Sequence, residues 1–301
     1  MGNKYRLILN ITKMKKVKTN LARSAFSLIE TSVVLIFMGI LAAGIIAIKG
    51  SFFDSAKANK IATANKSAPM RDMNGLTIWF DVATSEGFKD SEFTIDTNIS
   101  TWKNISPDHY NDFNVTQNTA ANRPLYTNDN SDNLPILNFD GTNDILSSIS
   151  IPGYSFLGSN QATVILVQKY NSPNHNSLIL NWTSSGTNEL RISALNASGN
   201  IVFDFGSDQI SVNAPNFGYG WNIVSLVKSS NTGTIRVNGS VLHSAAMNDA
   251  IDVGASDNLD IGSNLNGYLR EVIIFNRALT DQEIKEVEKY LSKKWGIKLN
   301  S

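Results

Sequence analysis

Hydrophobic and polar positions divide the chain into two patterns. Thr31 to Ile48 are eighteen consecutive uncharged residues, mostly Val, Ile, Leu, Ala and Phe. A helix rises ~1.5 Å per residue, so this run is long enough to cross a bilayer core and predicts a membrane-spanning helix. From Gly75 onward, short apolar runs alternate with clusters of Asn, Gly, Ser and Asp. That second pattern is typical of an all-β sandwich.

Charge around the apolar run predicts its orientation. Residues 1–25 contain seven Lys or Arg residues and no Asp or Glu. The positive-inside rule keeps such a segment cytoplasmic, so the rest of the chain is expected to face outward. A secretory signal peptide cleaved near Ala42-Ala43-Gly44 and an ordinary signal anchor are two simpler interpretations. The apolar run continues past Gly44, which argues against cleavage there, and neither interpretation explains Glu30 at its start.

Glu30 is the informative residue of this segment, because a charge within a spanning helix costs about 2.5 to 3.5 kcal/mol on insertion scales. Ala25 followed by Phe26-Ser27-Leu28-Ile29-Glu30 and an apolar helix resembles the amino terminus of type IV prepilins and pseudopilins. The resemblance implies that a prepilin peptidase cuts between Ala25 and Phe26 and methylates the new amine. It also implies that Glu30 attracts that amine on a neighbouring subunit during assembly.

The helical pattern extends beyond the span. Residues 51–68 are rich in Ala and Lys with a weak apolar stripe, and Pro69 is expected to end the helix. The predicted organisation is a basic leader over 1–25, a transmembrane and stem helix over 26–68, a linker over 69–74 and a sandwich over 75–301.

Composition excludes several classes of function. The 301 residues include 26 basic and 26 acidic side chains, but loss of residues 1–25 leaves 19 against 26, a net charge of −7. A mildly acidic exported part does not predict nucleic-acid binding. The absence of cysteine excludes disulfides, iron–sulfur ligation and thiol nucleophiles. A region of roughly 230 residues can instead be stabilised by core burial alone.

Ten apolar runs predict strands of the sandwich, and Asn238-Gly239 predicts a tight hairpin because both positions tolerate positive φ. The predicted strands are Leu76–Val82, Ile136–Phe139, Ile145–Ile151, Thr163–Lys169, Leu178–Trp182, Leu190–Ala194, Ile201–Phe205, Asn222–Lys228, Thr234–Asn238 and Tyr268–Phe275.

Three phrases within this region resemble bacterial laminin-G-like, concanavalin A-like domains. They run from Gly75 to Asp81, from Pro135 to Asp144 and from Gly267 to Leu279. The resemblance implies a mainly β fold, a concanavalin A-like jelly-roll sandwich with a short C-terminal helix. That helix is also predicted by the residues themselves, since Thr280 and Glu283 form a capping box and Gly296 is a C-cap.

The motifs of common enzymes are missing. Laminarinase-type relatives carry Glu-x-Asp-x-x-Glu or Glu-x-Asp-x-Glu, which the chain lacks, and retaining hydrolysis needs two carboxyls about 5 Å apart. There is no Gly-x-Ser-x-Gly and no phosphate-binding loop, and His109, His175 and His243 are widely separated. The sequence therefore predicts a protein that is not an enzyme and that needs no cofactor.

Two further site predictions concern ligands. Asp140, Asn143 and Asp144 offer hard oxygens for calcium within one turn, although the same residues are typical of a plain β-turn. Sugar binding calls for exposed aromatic side chains, and strand positions favour core packing for Trp79 and Trp221. The candidate sugar contacts are Phe217, Tyr219, Trp182 and Tyr170.

These observations lead to one hypothesis and two alternatives. The chain is expected to be a minor pilin or pseudopilin whose lectin-like head serves adhesion or recognition. It would enter the bacterial inner membrane as a precursor with a periplasmic or extracellular head. Its expected partners are prepilin peptidase, other pilin subunits and glycans or surface proteins. The alternatives are a type II secretion pseudopilin that handles cargo and a membrane-tethered carbohydrate-active enzyme.

Overall fold

The computed structural model of the protein describes residues 65, 67–107, 113–148, 160–171, 178–183, 190–193, 199–213, 220–250 and 258–300. The predicted leader, membrane span and most of the stem, with Ala25, Phe26 and Glu30, lie outside these residues. Among the helices that the structure does describe, none is long and apolar enough to cross a bilayer.

The described residues form an antiparallel two-sheet sandwich, in agreement with the predicted fold class. The strands are β1 Leu76–Asp81, β2 Thr97–Asn98, β3 Thr101–Trp102, β4 Val115–Thr116, β5 Leu125–Asn128, β6 Pro135–Asp140, β7 Leu146–Ser148, β8 Gln161–Tyr170, β9 Leu178–Thr183, β10 Leu190–Ser193, β11 Asn200–Phe205, β12 Asp208–Asn213, β13 Asn222–Ser229, β14 Thr232–Val237, β15 Ser240–Ala246, β16 Asn258–Ser263 and β17 Asn266–Phe275.

The described strands form one sheet of nine strands and one of eight. The first sheet has the order β15-β14-β13-β8-β17-β6-β5-β2, with β1 also paired to β17. The second sheet has the order β12-β11-β10-β9-β16-β7-β4-β3. The long strand β17 pairs with β6 through its first half and with β1 through its second half. The first and last strands of the described sandwich therefore lie side by side.

Burial follows the alternation of side chains along each strand. In the second sheet one face carries Leu180, Ile192, Phe203 and their neighbours, which face the first sheet and are buried. The opposite face carries polar residues, as expected for a sheet covered on one side. In β8 and β17 the apolar runs are continuous, because both faces of the first sheet are buried near its centre.

Helix α1, Asp281–Trp295, covers the outer face of the first sheet. Both halves of the predicted capping box form, with the Thr280 hydroxyl accepting from the Glu283 amide, and Gly296 adopts the left-handed conformation at the C-cap. Ile284, Val287, Leu291 and Trp295 are buried against the sheet. The predicted helix is thus confirmed at both ends.

Local geometry matches several other predictions and adds strands that were not predicted. Asn238 and Gly239 have φ of 49° and 89° and connect β14 to β15, which confirms the hairpin. All ten predicted strands are present within a few residues of the expected bounds. The sequence patterns missed β2, β3, β4, β5, β12, β15 and β16. At Pro69–Asp72, within the predicted linker, a 3-10 helix buries Met70.

Candidate functional site

The predicted calcium turn is held together by its own side chains. Asp140 Oδ1 accepts hydrogen bonds from the backbone amides of Thr142 at 2.8 Å and Asn143 at 3.3 Å. Asp144 Oδ2 accepts from the Asp140 amide at 2.9 Å, and burial, together with the charge of Asp140, raises the pKa of Asp144. Among the described residues no group of three or more acidic or histidine side chains is placed to hold a metal ion. The turn therefore has a structural explanation, and calcium binding stays a prediction.

The predicted aromatic contacts lie in different environments. Tyr170 is 4% exposed and Trp182 is 1% exposed, and the Trp182 ring stacks on Phe113 with centroids 5.7 Å apart. Both side chains are therefore part of the core between the sheets and do not present a ring face to solvent. Phe217 and Tyr219 lie outside the described residues.

A continuous row of polar side chains, here called the polar ladder, crosses the outer face of the second sheet. Strand pairing places one polar residue of each strand directly beside the next. From one edge to the other these are Gln209, Asp204, Arg191, Asn181, Asp260, Ser147, Thr116 and Thr101. Within the described part of the chain, no helix covers this face.

Hydrogen bonds join two groups of neighbours within the polar ladder. Arg191 Nε donates to Asp204 Oδ2 at 2.7 Å, and Gln209 Nε2 donates to Asp204 Oδ1 at 2.6 Å. Past Asn181, Ser147 Oγ donates to Asp260 Oδ1 at 2.6 Å. These bonds preorganise donors and acceptors along one surface. The Arg191 side chain is 37% exposed.

The polar ladder was missed at the sequence level although a signal for it exists. Leu190-Arg191-Ile192-Ser193 and Phe203-Asp204-Phe205 each alternate apolar and polar residues. Each motif indicates that its polar residues lie on an outer face. The sequence does not say which strands are neighbours, so the row could not be assembled from it.

A second group of side chains, here called the Trp221 cluster, lies on the outer face of the first sheet. Lys169 pairs with Tyr268 across β8 and β17, and Trp221 directly precedes β13. Asp129 Oδ2 accepts hydrogen bonds from Trp221 Nε1 at 2.6 Å and from Lys169 Nζ at 3.0 Å. Burial by itself raises the pKa of Asp129. The hydrogen bonds from the Ser131 backbone amide, Lys169 and Trp221 have the larger effect and lower that pKa to about 2.

Arg270 completes the Trp221 cluster from beneath. The register of β17 shifts between Leu269 and Glu271, which makes Arg270 the extra residue of a bulge. Arg270 therefore lies on the same outer face as Glu271. Its guanidinium carbon lies 3.7 Å from the ring centroid of Trp221 and 5.1 Å from that of Trp295. Nη2 donates to both carboxylate oxygens of Asp132, at 2.7 and 2.9 Å.

The environment of Arg270 is costly. The side chain is fully buried, and burial lowers its pKa. Nε and Nη1 have no hydrogen-bond partner among the described residues. Each such buried group costs about 1 to 3 kcal/mol, which contact with two indole faces offsets in part. The ion pair with Asp132 and the two ring contacts are the interactions that hold the guanidinium at this position.

A third polar group lies buried beneath α1. Lys294 Nζ donates to Asp81 Oδ2 at 2.7 Å and to Glu271 Oε2 at 2.8 Å. Glu271 also accepts from the indole nitrogens of Trp79 and Trp295, both at 2.7 Å. Burial, more than any neighbour, raises the pKa of Glu271 to about 7. None of the three charged side chains is exposed, so this group fixes the helix to the sheet.

Comparison with protein families supports the expected fold. Residues 140–285 match the family described as the concanavalin A-like lectin/glucanases superfamily. This range extends from the end of β6 into α1, and it includes the end of the second phrase and all of the third. The laminin-G-like resemblance is therefore confirmed for this part of the chain. No curated protein matches the chain.

Solved structures include similar sandwiches at low sequence identity. Domain 4 of AbnA, a GH43 extracellular arabinanase from Geobacillus stearothermophilus solved with arabinotriose, is 16% identical, with a TM-score of 0.48 over 71% of this chain and 98% of that chain. The binding domain of Paraclostridial Mosquitocidal Protein 1 is 15% identical, with a TM-score of 0.51 over 74% of this chain and 53% of that chain. The similarity to the mosquitocidal protein's binding domain supports the sandwich fold of this chain and nothing further.

Proposed function

We propose that this protein is a type IV pilin-like subunit, a minor pilin or pseudopilin, whose lectin-like head recognises carbohydrate at the cell surface. The observation that carries the recognition half is the polar ladder. The assembly half rests on the sequence from Ala25 to Ile48, with the precursor in the bacterial inner membrane and the head on its outer side.

The polar ladder suits a ligand rich in hydroxyl groups. It presents hydroxyl, amide, carboxylate and guanidinium groups at successive strand spacings of about 4.8 Å. Hydroxyl groups of a sugar both donate and accept, so they can bond to each of these groups in turn. A fixed row of donors and acceptors loses little conformational entropy on binding.

The same geometry favours binding over hydrolysis. Asp204 and Asp260 of the ladder are three strand spacings apart, roughly 14 Å, which exceeds the separation of about 5 to 9.5 Å used by glycosidases. Asp81 and Glu271 share Lys294 but have no exposed surface. A membrane-tethered carbohydrate-active enzyme is therefore the less favoured alternative.

The assembly half depends on Phe26 and Glu30. After cleavage by prepilin peptidase, the amine of Phe26 would meet the Glu30 carboxylate of a neighbouring pilin subunit. In a low-dielectric helix bundle an isolated charge is costly and a pair is less so, so the pairing favours one axial register.

Mass spectrometry of the mature protein tests this half. We expect an amino terminus at methylated Phe26 and loss of filament incorporation in Glu30→Gln. An intact leader, or a mature terminus near Ile45, would contradict the pilin-like assignment. Blocked export of soluble enzymes in a deletion strain, with surface attachment intact, would instead support the secretion pseudopilin.

A glycan array with the full chain tests the recognition half. The detergent must lack a sugar headgroup, because a glycoside would compete for the site. We expect Gln209→Ala and Arg191→Ala to weaken binding at least threefold, whereas Gln282→Ala, a matched exposed glutamine on α1, leaves it unchanged. Absence of binding to any glycan, or release of reducing sugar, would overturn the proposal.

A further inference from the structure

We infer that the Trp221 cluster is a second carbohydrate site, one that stacks a neutral sugar ring on Trp221 and Tyr268. The inference rests on the proposed function, since it assumes that the head binds carbohydrate. It concerns the opposite outer face of the sandwich from the polar ladder, so the two sites can be tested separately.

The Trp221 cluster lies where helix α1 no longer covers the first sheet. Lys169, Tyr268 and Asn138 are neighbours on adjacent strands, and their side chains are half-buried. Trp221 is likewise half-buried. Closer to the helix, the outer-face residue Glu271 is fully buried. The cluster is therefore the accessible end of a face that is elsewhere closed.

The two aromatic rings have fixed orientations before any ligand arrives. Their centroids are 6.3 Å apart and their planes differ by 35°. Trp221 is held on one face by Arg270 and at its indole nitrogen by Asp129. Stacking of sugar C–H groups on an aromatic ring depends on such orientation, and a ring that is already held loses little freedom on binding. This gives the buried guanidinium of Arg270 a role as a positioning residue.

Charge balance indicates a neutral ligand. Lys169 pairs with Asp129, and Arg270 pairs with Asp132, so the two cations are matched by two carboxylates. No net charge remains to favour an acidic sugar. The Lys169 side chain is 18% exposed and lies 5.4 Å from the Tyr268 centroid, where its ammonium group can donate to a sugar hydroxyl.

Binding of cellotriose, xylotriose and mannotriose to the full chain tests the inference, with trigalacturonate and sialyllactose as acidic comparisons. Tyr268→Ala should weaken binding of at least one neutral trisaccharide by tenfold or more, and Tyr268→Phe, which keeps the ring, should stay within threefold. Arg270→Met keeps the bulk of the side chain but removes the charge that orients Trp221. It should broaden the tryptophan fluorescence and weaken the same binding.

The outcomes separate this site from the polar ladder. Loss of binding in Tyr268→Ala with an unchanged thermal unfolding midpoint supports the second site. Full binding in Tyr268→Ala together with loss in Gln209→Ala would overturn it and leave the proposed function standing. Preference for the acidic trisaccharides would contradict the neutral ligand. If the wild-type chain binds glycans on the array but none of the three neutral trisaccharides, the second site is overturned and the proposed function stands.

Discussion

The two outer faces of the sandwich are built from similar polar residues but put to different uses. Beneath α1, the ion pair of Arg236 and Glu288 is 5% and 1% exposed, and its bond is 2.9 Å long. On the polar ladder, the ion pair of Arg191 and Asp204 is 37% and 7% exposed, with a bond of 2.7 Å. The two bond lengths are nearly the same, so any difference in the stability that the two pairs contribute comes from how far each pair is exposed to water.

The energetic consequence of losing one charge of an ion pair depends on whether its face of the sheet is covered. Under the helix, a charge without its partner has no access to water, so each pair is required for docking of α1. On the polar ladder, Arg191 is partly exposed and water can solvate it if its partner is lost, so the pair is expected to contribute less to stability than the covered pair.

The largest expected effect comes from removing the cation beneath the helix. Lys294→Ala would leave Asp81 and Glu271 buried together without a positive partner. We expect a loss of about 3 to 5 kcal/mol in the free energy of unfolding, measured by urea titration. Lys293→Ala, which removes the adjacent exposed lysine, should change it by less than about 0.5 kcal/mol. If the two substitutions lowered the free energy of unfolding equally, burial of Lys294 would not explain its contribution to stability.

The pH dependence of stability tests the same buried group. Burial raises the pKa of Glu271 from 4.5 to about 7 in the folded chain. The folded state therefore binds more protons than the unfolded state between these values, and this contribution is present below pH 4.5 and lost as pH rises through 7. Its full size is on the order of 3 kcal/mol.

Urea titrations of wild type and Glu271→Gln at a series of pH values measure this contribution as a difference. We expect the wild type to lose stability relative to the variant between about pH 5 and 8. Parallel curves over that range would mean that Glu271 stays ionised in the folded chain.

A smaller effect is expected at the start of the covering helix. Thr280→Ala removes the hydroxyl that accepts from the Glu283 amide and with it half of the capping box. We expect a loss of about 1 kcal/mol, read as a lower thermal unfolding midpoint. Thr280→Ser keeps the cap and should restore most of the stability. If Ser and Ala behave alike, the cap does not contribute.

The smallest effect is expected on the open face. A double-mutant cycle of Arg191→Ala and Asp204→Ala should give a coupling energy of about 0.2 to 1 kcal/mol, as for other partly exposed pairs. The same cycle on Arg236 and Glu288 should exceed it severalfold. Coupling energies of equal size would remove the distinction between the two faces.

Much of the fold followed from local signals. The capping box at Thr280, the Asn238-Gly239 turn and the apolar runs of β8 and β17 each depend on a few adjacent residues, and each was predicted. Strands β2, β3 and β4 were not. They have two residues each, too few for a pattern of alternation to be recognised.

The sites were less predictable, because they depend on which strands are neighbours. Tyr170 and Trp182 have the side chains that a sugar site needs, but the alternation of β8 and β9 turns them inward. Trp221 was predicted to pack in the core because it begins an alternating strand, yet it is half-buried beside Tyr268. A bulge at Arg270, with no local sequence signal, brings the guanidinium beneath its ring.

The sequence by itself determined the sandwich class, the terminal helix and its caps, since these depend on side-chain periodicity and on contacts between residues close along the chain. Only the tertiary structure decided that eight polar residues form one row and that Asp81, Glu271 and Lys294 meet under the helix. Those contacts join strands and a helix far apart in the chain, and pairing across such distances is set by the packing of the whole core.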